Sequence, residues 1–304
     1  MYKIKSLNYT VIAKSKLAYN ALRLTQYNFI GSTSLFYFIL NCLFRNSYYL
    51  NIDGAEYLWP IETISDLRLI RGEYEADSNK YSIGIGYEGV DIMFIKSLIK
   101  KGDFIIDIGA NKGFYTCLLS SLVGPDGKIF SFEASPHNYK IFFDRVSKIW
   151  NLKNCISFNF ILTDNDNERV SLAKPSIFDD GTGFYFKKRL SSYSASYSRK
   201  IDTLLGGLNI SRIKLLKIDV EGAEVIVLRG SREVLGKTDF ILVEASHTGI
   251  DRFGTTVNDL YDLLGYHGFT HFYYIAISGN GASVVTKANH GDVGNILFSK
   301  SVIE

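Results

Sequence analysis

Phe104-Ile-Ile-Asp107-Ile-Gly109-Ala110-Asn111-Lys-Gly113-Phe-Tyr115 decides the fold. Four of its first five residues are apolar, and the run then breaks into a glycine-lined turn that opens into a further apolar stretch. A buried strand ending in such a turn and entering a helix is how α/β proteins bring backbone close to a nucleotide-like ligand. Gly109 and Gly113 permit positive φ or close backbone approach, and Ala110 is small enough not to block a ligand.

A second short apolar run, Lys128-Ile-Phe-Ser-Phe-Glu133, ends in an acid 26 residues after Asp107. An acid at that strand tip can accept both hydroxyls of a ribose. The dinucleotide spacing G-x-G-x-x-G is missing, because Gly109 is followed by Ala110, Asn111 and then Gly113. A nicotinamide-dependent oxidoreductase is therefore disfavoured. Asp107 would also repel a diphosphate, whereas it would receive the cationic amino group of an amino-acid-bearing nucleoside such as S-adenosylmethionine.

The rest of the chain alternates strand and helix. Strands are predicted near 104–108, 129–133, 155–161, 214–219 and 239–244, and helices near 90–101, 113–123, 136–149, 222–236 and 256–267. The last two apolar runs, 270–277 and 294–298, predict an antiparallel hairpin at the sheet edge. The polar stretch 174–199 reads either as a mobile insertion that closes over an acceptor or as a surface loop.

With 304 residues, 46% of them hydrophobic, the chain can bury a full core. A division into an accessory region, 1–75, and a catalytic domain, 76–304, is expected. The net charge is +3, with 34 basic residues interspersed among 31 acidic ones, so nucleic acid is not an expected partner. Cys42, Cys117 and Cys155 are odd in number and lack C-x-x-C spacing, which fits a reducing, cytoplasmic setting and indicates neither disulfides nor zinc. Cys117 reads as a buried small residue. The amino terminus, with Lys3, Lys5, Lys14, Lys16 and Arg23 ahead of an apolar block at 35–40, reads as a helical cap or as a segment resting peripherally on an anionic membrane. A strand pair around Asp53-Gly54 follows it. Oligomeric state is left open.

A second chemical cluster lies in Lys217-Ile-Asp219-Val-Glu221-Gly222-Ala-Glu224. Asp219 or Glu221 is placed to take a proton from an attacking hydroxyl, with Lys217 pairing with them, while Glu224 reads as a cap on the following helix. Glu244 closes the next strand, and His247 beside it is either a base or a hydrogen-bonded neighbour. Asp219, Glu221 and Glu244 would suit magnesium, but nothing in the pattern requires a metal. The Asn/Asp-Pro-Pro-aromatic tetrapeptide of amino-methylating enzymes is absent, as is a strand-end Pro-Cys pair, which leaves oxygen as the expected acceptor atom.

In order, DIGANKGFYT at 107–116, FEASP at 132–136, LTDNDN at 162–167, IDTLL at 201–205, KIDVEGAE at 217–224 and LVEAS at 242–246 resemble the FkbM-type methyltransferases, class I enzymes dependent on S-adenosylmethionine. The resemblance implies a Rossmann-like fold with a mostly parallel seven-stranded sheet. It implies cofactor contacts at Asp107, Gly109, Asn111 and Glu133, with Glu88 at the methionine end and Asp164 near the adenine. Asp202, Asp219 and Glu221 would surround the acceptor, a hydroxyl of a sugar or natural product. The family often has Glu-Pro where this chain has Glu133-Ala134, which leaves the acid intact. A methyltransferase-like scaffold without catalysis is the alternative.

Overall fold

The computed structural model describes residues 2–5, 10–13, 48–52, 55–58, 89–172, 185–186, 194–277 and 283–303. The chain divides into two compact units, Met1–Met93 and Phe94–Glu304. The boundary expected near residue 75 and Glu88 both lie outside the described residues, as does the apolar block at 35–40.

In the first unit, β1 (Tyr2–Lys5), β2 (Thr10–Ala13), β3 (Tyr48–Ile52) and β4 (Ala55–Leu58) form one antiparallel sheet in that order. Ile52 pairs with Ala55, and Asp53-Gly54, where the turn of this strand pair is expected, lies outside the described residues. The strands at 2–5 and 10–13 carry no signal that marked them in advance. Among the described residues, no helix is long and apolar enough to cross a membrane.

The second unit is built on β5 (Phe104–Ile108), β6 (Lys128–Phe132), β7 (Cys155–Phe158), β12 (Ile213–Ile218), β13 (Thr238–Ala245), β14 (His271–Ile277), β15 (Ser283–Lys287) and β16 (Gly294–Ser299). Their order is β15-β14-β16-β13-β12-β5-β6-β7. From β7 to β13 the pairings are parallel, and β16 runs antiparallel between β13 and β14. These seven strands are the expected sheet, and β15 adds an eighth at the edge by pairing antiparallel with β14. The chain leaves β5 toward β6 on one side and builds β12 on the other, so the crevice of this sheet opens between β5 and β12.

Period-two alternation sorts the strands into two faces. Ile106, Ile108, Leu216, Ile218, Ile241, Val243, Ile296 and Phe298 belong to one core cluster with Val225, Leu228, Leu235, Leu260 and Leu264 of the helices Glu224–Arg229, Arg232–Lys237 and Val257–Tyr266. On the other face lies a row of polar residues in register, Lys217, Asp107, Ser131 and Ser157, across β12, β5, β6 and β7. The helix Phe114–Val123 lends Thr116 to that row.

Two segments depart from expectation. The predicted helix over 222–236 is broken into two at Gly230, where an added Cβ would lie 2.2 Å from the Thr163 carbonyl oxygen, so close backbone packing interrupts it. Ser194–Arg199, expected within a mobile insertion or loop, is the strand β11, paired antiparallel with β9 (Arg169–Leu172) and parallel with β8 (Ile161–Leu162). With β10 (Tyr185–Phe186) these make a second small sheet. Residues 174–184 and 187–193 of that insertion lie outside the described residues.

Candidate active site

The turn after β5 is shaped by its neighbours. Gly109 takes φ +85, and a Cβ there would lie 1.7 Å from the Asp219 carbonyl oxygen, so glycine lets this turn press directly on the turn after β12. The amides of Gly109 and Ala110 both donate to the Phe132 carbonyl at 2.9 Å, and the Asp219 amide donates to that of Ile108. Asn111 also adopts a left-handed conformation, and Gly113, at φ +92, lies against Phe142 and Trp150. The fully buried Arg145 donates from Nη1 to the Lys112 carbonyl, bracing the turn from outside.

Two oxygens in this turn are buried without a hydrogen-bond donor among the described residues: Asp107 Oδ1 and Asn111 Oδ1. The other Asp107 oxygen accepts from Thr116 Oγ1 at 2.7 Å. Burial pushes the Asp107 carboxyl up, with Lys217 and Thr116 opposing the shift. Buried acceptors without donors are costly in a native protein, and a pair of them in one turn marks a place prepared for a donor-rich ligand.

Glu133 closes this turn. Its Oε2 accepts from the Asn111 amide and its Oε1 from the Ser135 amide, each at 2.8 Å, so one carboxylate ties the tip of β6 to the β5 turn. Burial pushes its carboxyl up to about 7 in spite of those two donors. Each carboxylate oxygen retains a lone-pair site, which suits a pair of hydroxyls.

Across the crevice, Lys217 is buried, with Nζ 3.0 Å from Asp219 Oδ2 and 4.4 Å from the centroid of the Tyr115 ring. Burial works against charge on Asp219, but Lys217 and a hydrogen bond with Glu244 outweigh it and keep its carboxyl below the ordinary range. Ile218 is in register with Val243, which makes Asp219 and Glu244 cross-strand neighbours one step beyond. Two carboxyls can share a hydrogen bond only through a proton, and Lys217 favours the charge on Asp219. The Asp219 side chain is 23% exposed. Glu221, Glu244 and His247 are exposed around these strand ends.

A sequence profile described as the Methyltransferase FkbM domain matches residues 107–270, from this turn to the start of β14. The chain belongs to the FkbM methyltransferase family. Hexuronic acid methyltransferase AglP of Haloferax volcanii is 24% identical over 195 residues, 63% of this chain and 69% of that protein. Among solved structures, methyltransferase FkbM from Methylobacillus flagellatus KT has a TM-score of 0.42 at 14% identity, covering 66% of this chain and 43% of that one. A precorrin-6y C5,15-methyltransferase from Geobacter metallireducens GS-15 has 0.41 at 15%, covering 76% and 96%. As a family member the chain is a methyltransferase of the S-adenosylmethionine-dependent class.

The FkbM motifs do not all converge on one place. Asp107, Gly109, Ala110, Asn111, Gly113 and Glu133 form one continuous turn system, which meets Lys217 and Asp219 across the crevice. Asp202 is elsewhere: its two carboxylate oxygens accept from the Glu233 and Val234 amides at 2.8 and 3.0 Å, capping the helix Arg232–Lys237. Asp164 packs by its Cα against Gly230, and its Oδ1 accepts from Asn165. Both acids border Gly230, to whose carbonyl the Asp202 amide donates at 3.3 Å, six residues beyond Glu224 in the chain. Asp202→Ala is expected to lower stability by about 1–2 kcal/mol through lost capping while leaving S-adenosylmethionine affinity within about twofold, as denaturant melts and calorimetry would report.

Thr116 and Ser131, which support Asp107, escaped the reading of the FkbM turn. Ser131 is legible afterwards as the polar residue inside Lys128-Ile-Phe-Ser-Phe132, a strand otherwise built for burial. Cys117 is fully buried, as its helical position implies, and burial raises its thiol well above the ordinary range.

Glu133 and Glu224 have carboxyls raised to about 7, each chiefly by burial. An acid raised on folding binds its proton more tightly in the folded state. The stability it contributes is complete below the unfolded value, near 4.5, and is lost as pH climbs through about 7. The melting temperature of the ligand-free protein should therefore fall between pH 5 and pH 8, a trend that a melting series across that range would check.

Proposed function

We propose that this FkbM methyltransferase transfers the methyl group of S-adenosylmethionine to a hydroxyl of a sugar, with a hexuronic-acid-bearing glycan as the favoured acceptor. The observation that carries the reading is the β5 turn, where buried Asp107 Oδ1 and Asn111 Oδ1 lack donors beside the Glu133 carboxylate. The acceptor class draws on the likeness to the Haloferax volcanii hexuronic acid enzyme.

Bound S-adenosylmethionine supplies a methyl group already activated by a positively charged sulfur. The residues fit such a ligand. Glu133 offers carboxylate lone pairs to ribose hydroxyls, and Asp107 offers a buried oxygen to an ammonium group. Gly109, Ala110 and Gly113 allow backbone approach. Asp219, ionised beside Lys217 and partly exposed, accepts the hydrogen bond and then the proton of the acceptor hydroxyl. Lys217 acts through Asp219, since it is buried and occupied by that carboxylate and the Tyr115 ring. Glu221, Glu244 and His247 are the exposed groups from which the acceptor wall is built. Alignment of hydroxyl and methyl carries much of the rate, because the methyl needs no further activation.

Calorimetric titration with S-adenosylmethionine and S-adenosylhomocysteine, followed by transfer of labelled methyl to a glucuronic acid glycoside and to a neutral hexoside, tests the reading. Micromolar binding and a preference for the uronic acid are expected. Asp219→Asn should lower kcat by about 100-fold or more with cofactor affinity within about threefold. Binding to neither nucleoside would overturn the reading and leave a non-catalytic scaffold.

A further inference from the structure

The turn after β12 is wedged between two other backbones. On one side the Asp219 carbonyl meets Gly109, and on the other Gly222, at φ +112, approaches so closely that an added Cβ would lie 2.2 Å from the Gly249 carbonyl oxygen. Between them Glu221 takes φ +57, a left-handed conformation that costs a side-chain-bearing residue roughly 1–2 kcal/mol. Such a turn needs a local restraint to persist.

Glu224 supplies one. It is 1% exposed, and its Oε1 accepts from the Gly222 amide at 2.9 Å and the Val220 amide at 3.3 Å. It is the first residue of the helix Glu224–Arg229, yet of the donors it serves only its own amide belongs to that helix. The other two lie ahead of it, on either side of Glu221. A capping acid normally serves the first free amides of its own helix and sits at the surface. Glu224 is instead buried, and its Oε2 has no hydrogen-bond partner among the described residues. Burying a carboxyl with one oxygen unsatisfied is expensive, and for the helix alone a surface Ser or Asp would suffice.

We propose that Glu224 is a positioning residue for methyl transfer: its buried carboxyl pins Val220 and Gly222, and through them sets Asp219 against the Gly109 turn. The role rests on the methyltransferase reading above. Glu224 itself touches neither cofactor nor acceptor. Loss of the peg frees the turn to relax away from its strained conformation, moving Asp219 and Glu221 while leaving Asp107, Asn111 and Glu133 in place. A displacement of about 1 Å at a group that orients a reactant is enough to cost about 100-fold in rate.

Glu224→Ala, Glu224→Asp and Glu224→Gln test this in the full chain. The shorter Asp keeps the charge but falls short of the two amides, whereas Gln keeps an oxygen that can accept from both. Cofactor affinity is read by calorimetry, turnover by methyl transfer to the glucuronic acid glycoside, and the turn itself by amide exchange over 217–224. Ala and Asp should lower kcat about 100-fold with S-adenosylmethionine affinity within about threefold and faster exchange at Val220 and Gly222. Gln should restore kcat to within about threefold of wild type. A folded Asp or Ala variant with wild-type turnover overturns the role, and so does parallel loss of turnover and cofactor affinity. If the glycoside proves not to be an acceptor, unchanged exchange in Glu224→Asp overturns it. A wild type that binds no S-adenosylmethionine instead overturns the functional reading beneath it.

Discussion

Gly109→Ala is expected to be the most damaging single-methyl change in the catalytic unit. The new Cβ would fall 1.7 Å from the Asp219 carbonyl oxygen, and a backbone oxygen cannot rotate out of the way as a side chain can. The turns after β5 and β12 would have to separate, breaking the Asp219 amide bond to the Ile108 carbonyl and opening the crevice where the cofactor and acceptor are proposed to meet. The φ of +85 adds roughly 1–2 kcal/mol of strain for alanine. The sum should exceed about 4 kcal/mol, which for a chain of this size lowers the melting temperature by about 10 °C or more. Gly102→Ala is the matching control. Its φ is +87, nearly the same, but nothing lies within 4 Å of the added methyl, so only the strain remains. Melting curves of the two variants should differ by several degrees, and an equal shift would mean that the close approach contributes little.

Glu133→Ala is expected to abolish tight cofactor binding. The carboxylate accepts from the amides of half-buried Asn111 and buried Ser135, and losing this acceptor costs about 1–3 kcal/mol for each. The same truncation removes the group proposed to receive the ribose hydroxyls, and a charged hydrogen bond there contributes about 1.5–3 kcal/mol. Loss of two such bonds should raise the dissociation constant for S-adenosylmethionine at least about 100-fold, while the orphaned amides lower the stability of free and bound protein alike. Glu133→Gln is expected to be nearly as weak, because its amide nitrogen would face one of the two N–H groups. Calorimetry on both variants checks this, with circular dichroism to establish that the sheet remains. Near-wild-type affinity in Glu133→Gln would show that the carboxylate's charge is not what the ligand uses.

The residues that carry both predictions were legible in the linear sequence because they are local. A strand, a glycine turn and a helix start within Phe104–Tyr115 satisfy period-two burial, positive φ and chain reversal without reference to anything distant. The same holds for the acid closing Lys128–Glu133. Asp202 shows where locality ends. Its motif, Ile-Asp-Thr-Leu-Leu, belongs to the family pattern, but its carboxylate caps a helix that begins 30 residues later. Gly230 likewise breaks a helix because Thr163 lies against it, 67 residues away in the chain. No periodicity within 222–236 encodes that collision. Ser194–Arg199 has the small polar composition of a loop and is a strand because β9 and β8 offer it their backbone groups.

The sequence by itself therefore determined the α/β class, the succession of buried runs and acid-tipped turns, and the glycine-lined turn after β5 that is proposed to hold the cofactor. Tertiary structure alone decided which acids share a site. Asp107, Glu133, Lys217 and Asp219 converge because parallel pairing of β6, β5 and β12 brings their carboxyl ends to one crevice, while Asp164 and Asp202 border Gly230, with Asp202 capping the helix Arg232–Lys237. It also decided how those groups titrate, since burial raises the Glu133 and Asp107 carboxyls while the buried Lys217 holds that of Asp219 below the ordinary range. Dihedral preference and hydrophobic period act over a few neighbouring residues and can be read in order. Desolvation, close backbone approach and charge pairing depend on what the folded chain brings within a few ångströms.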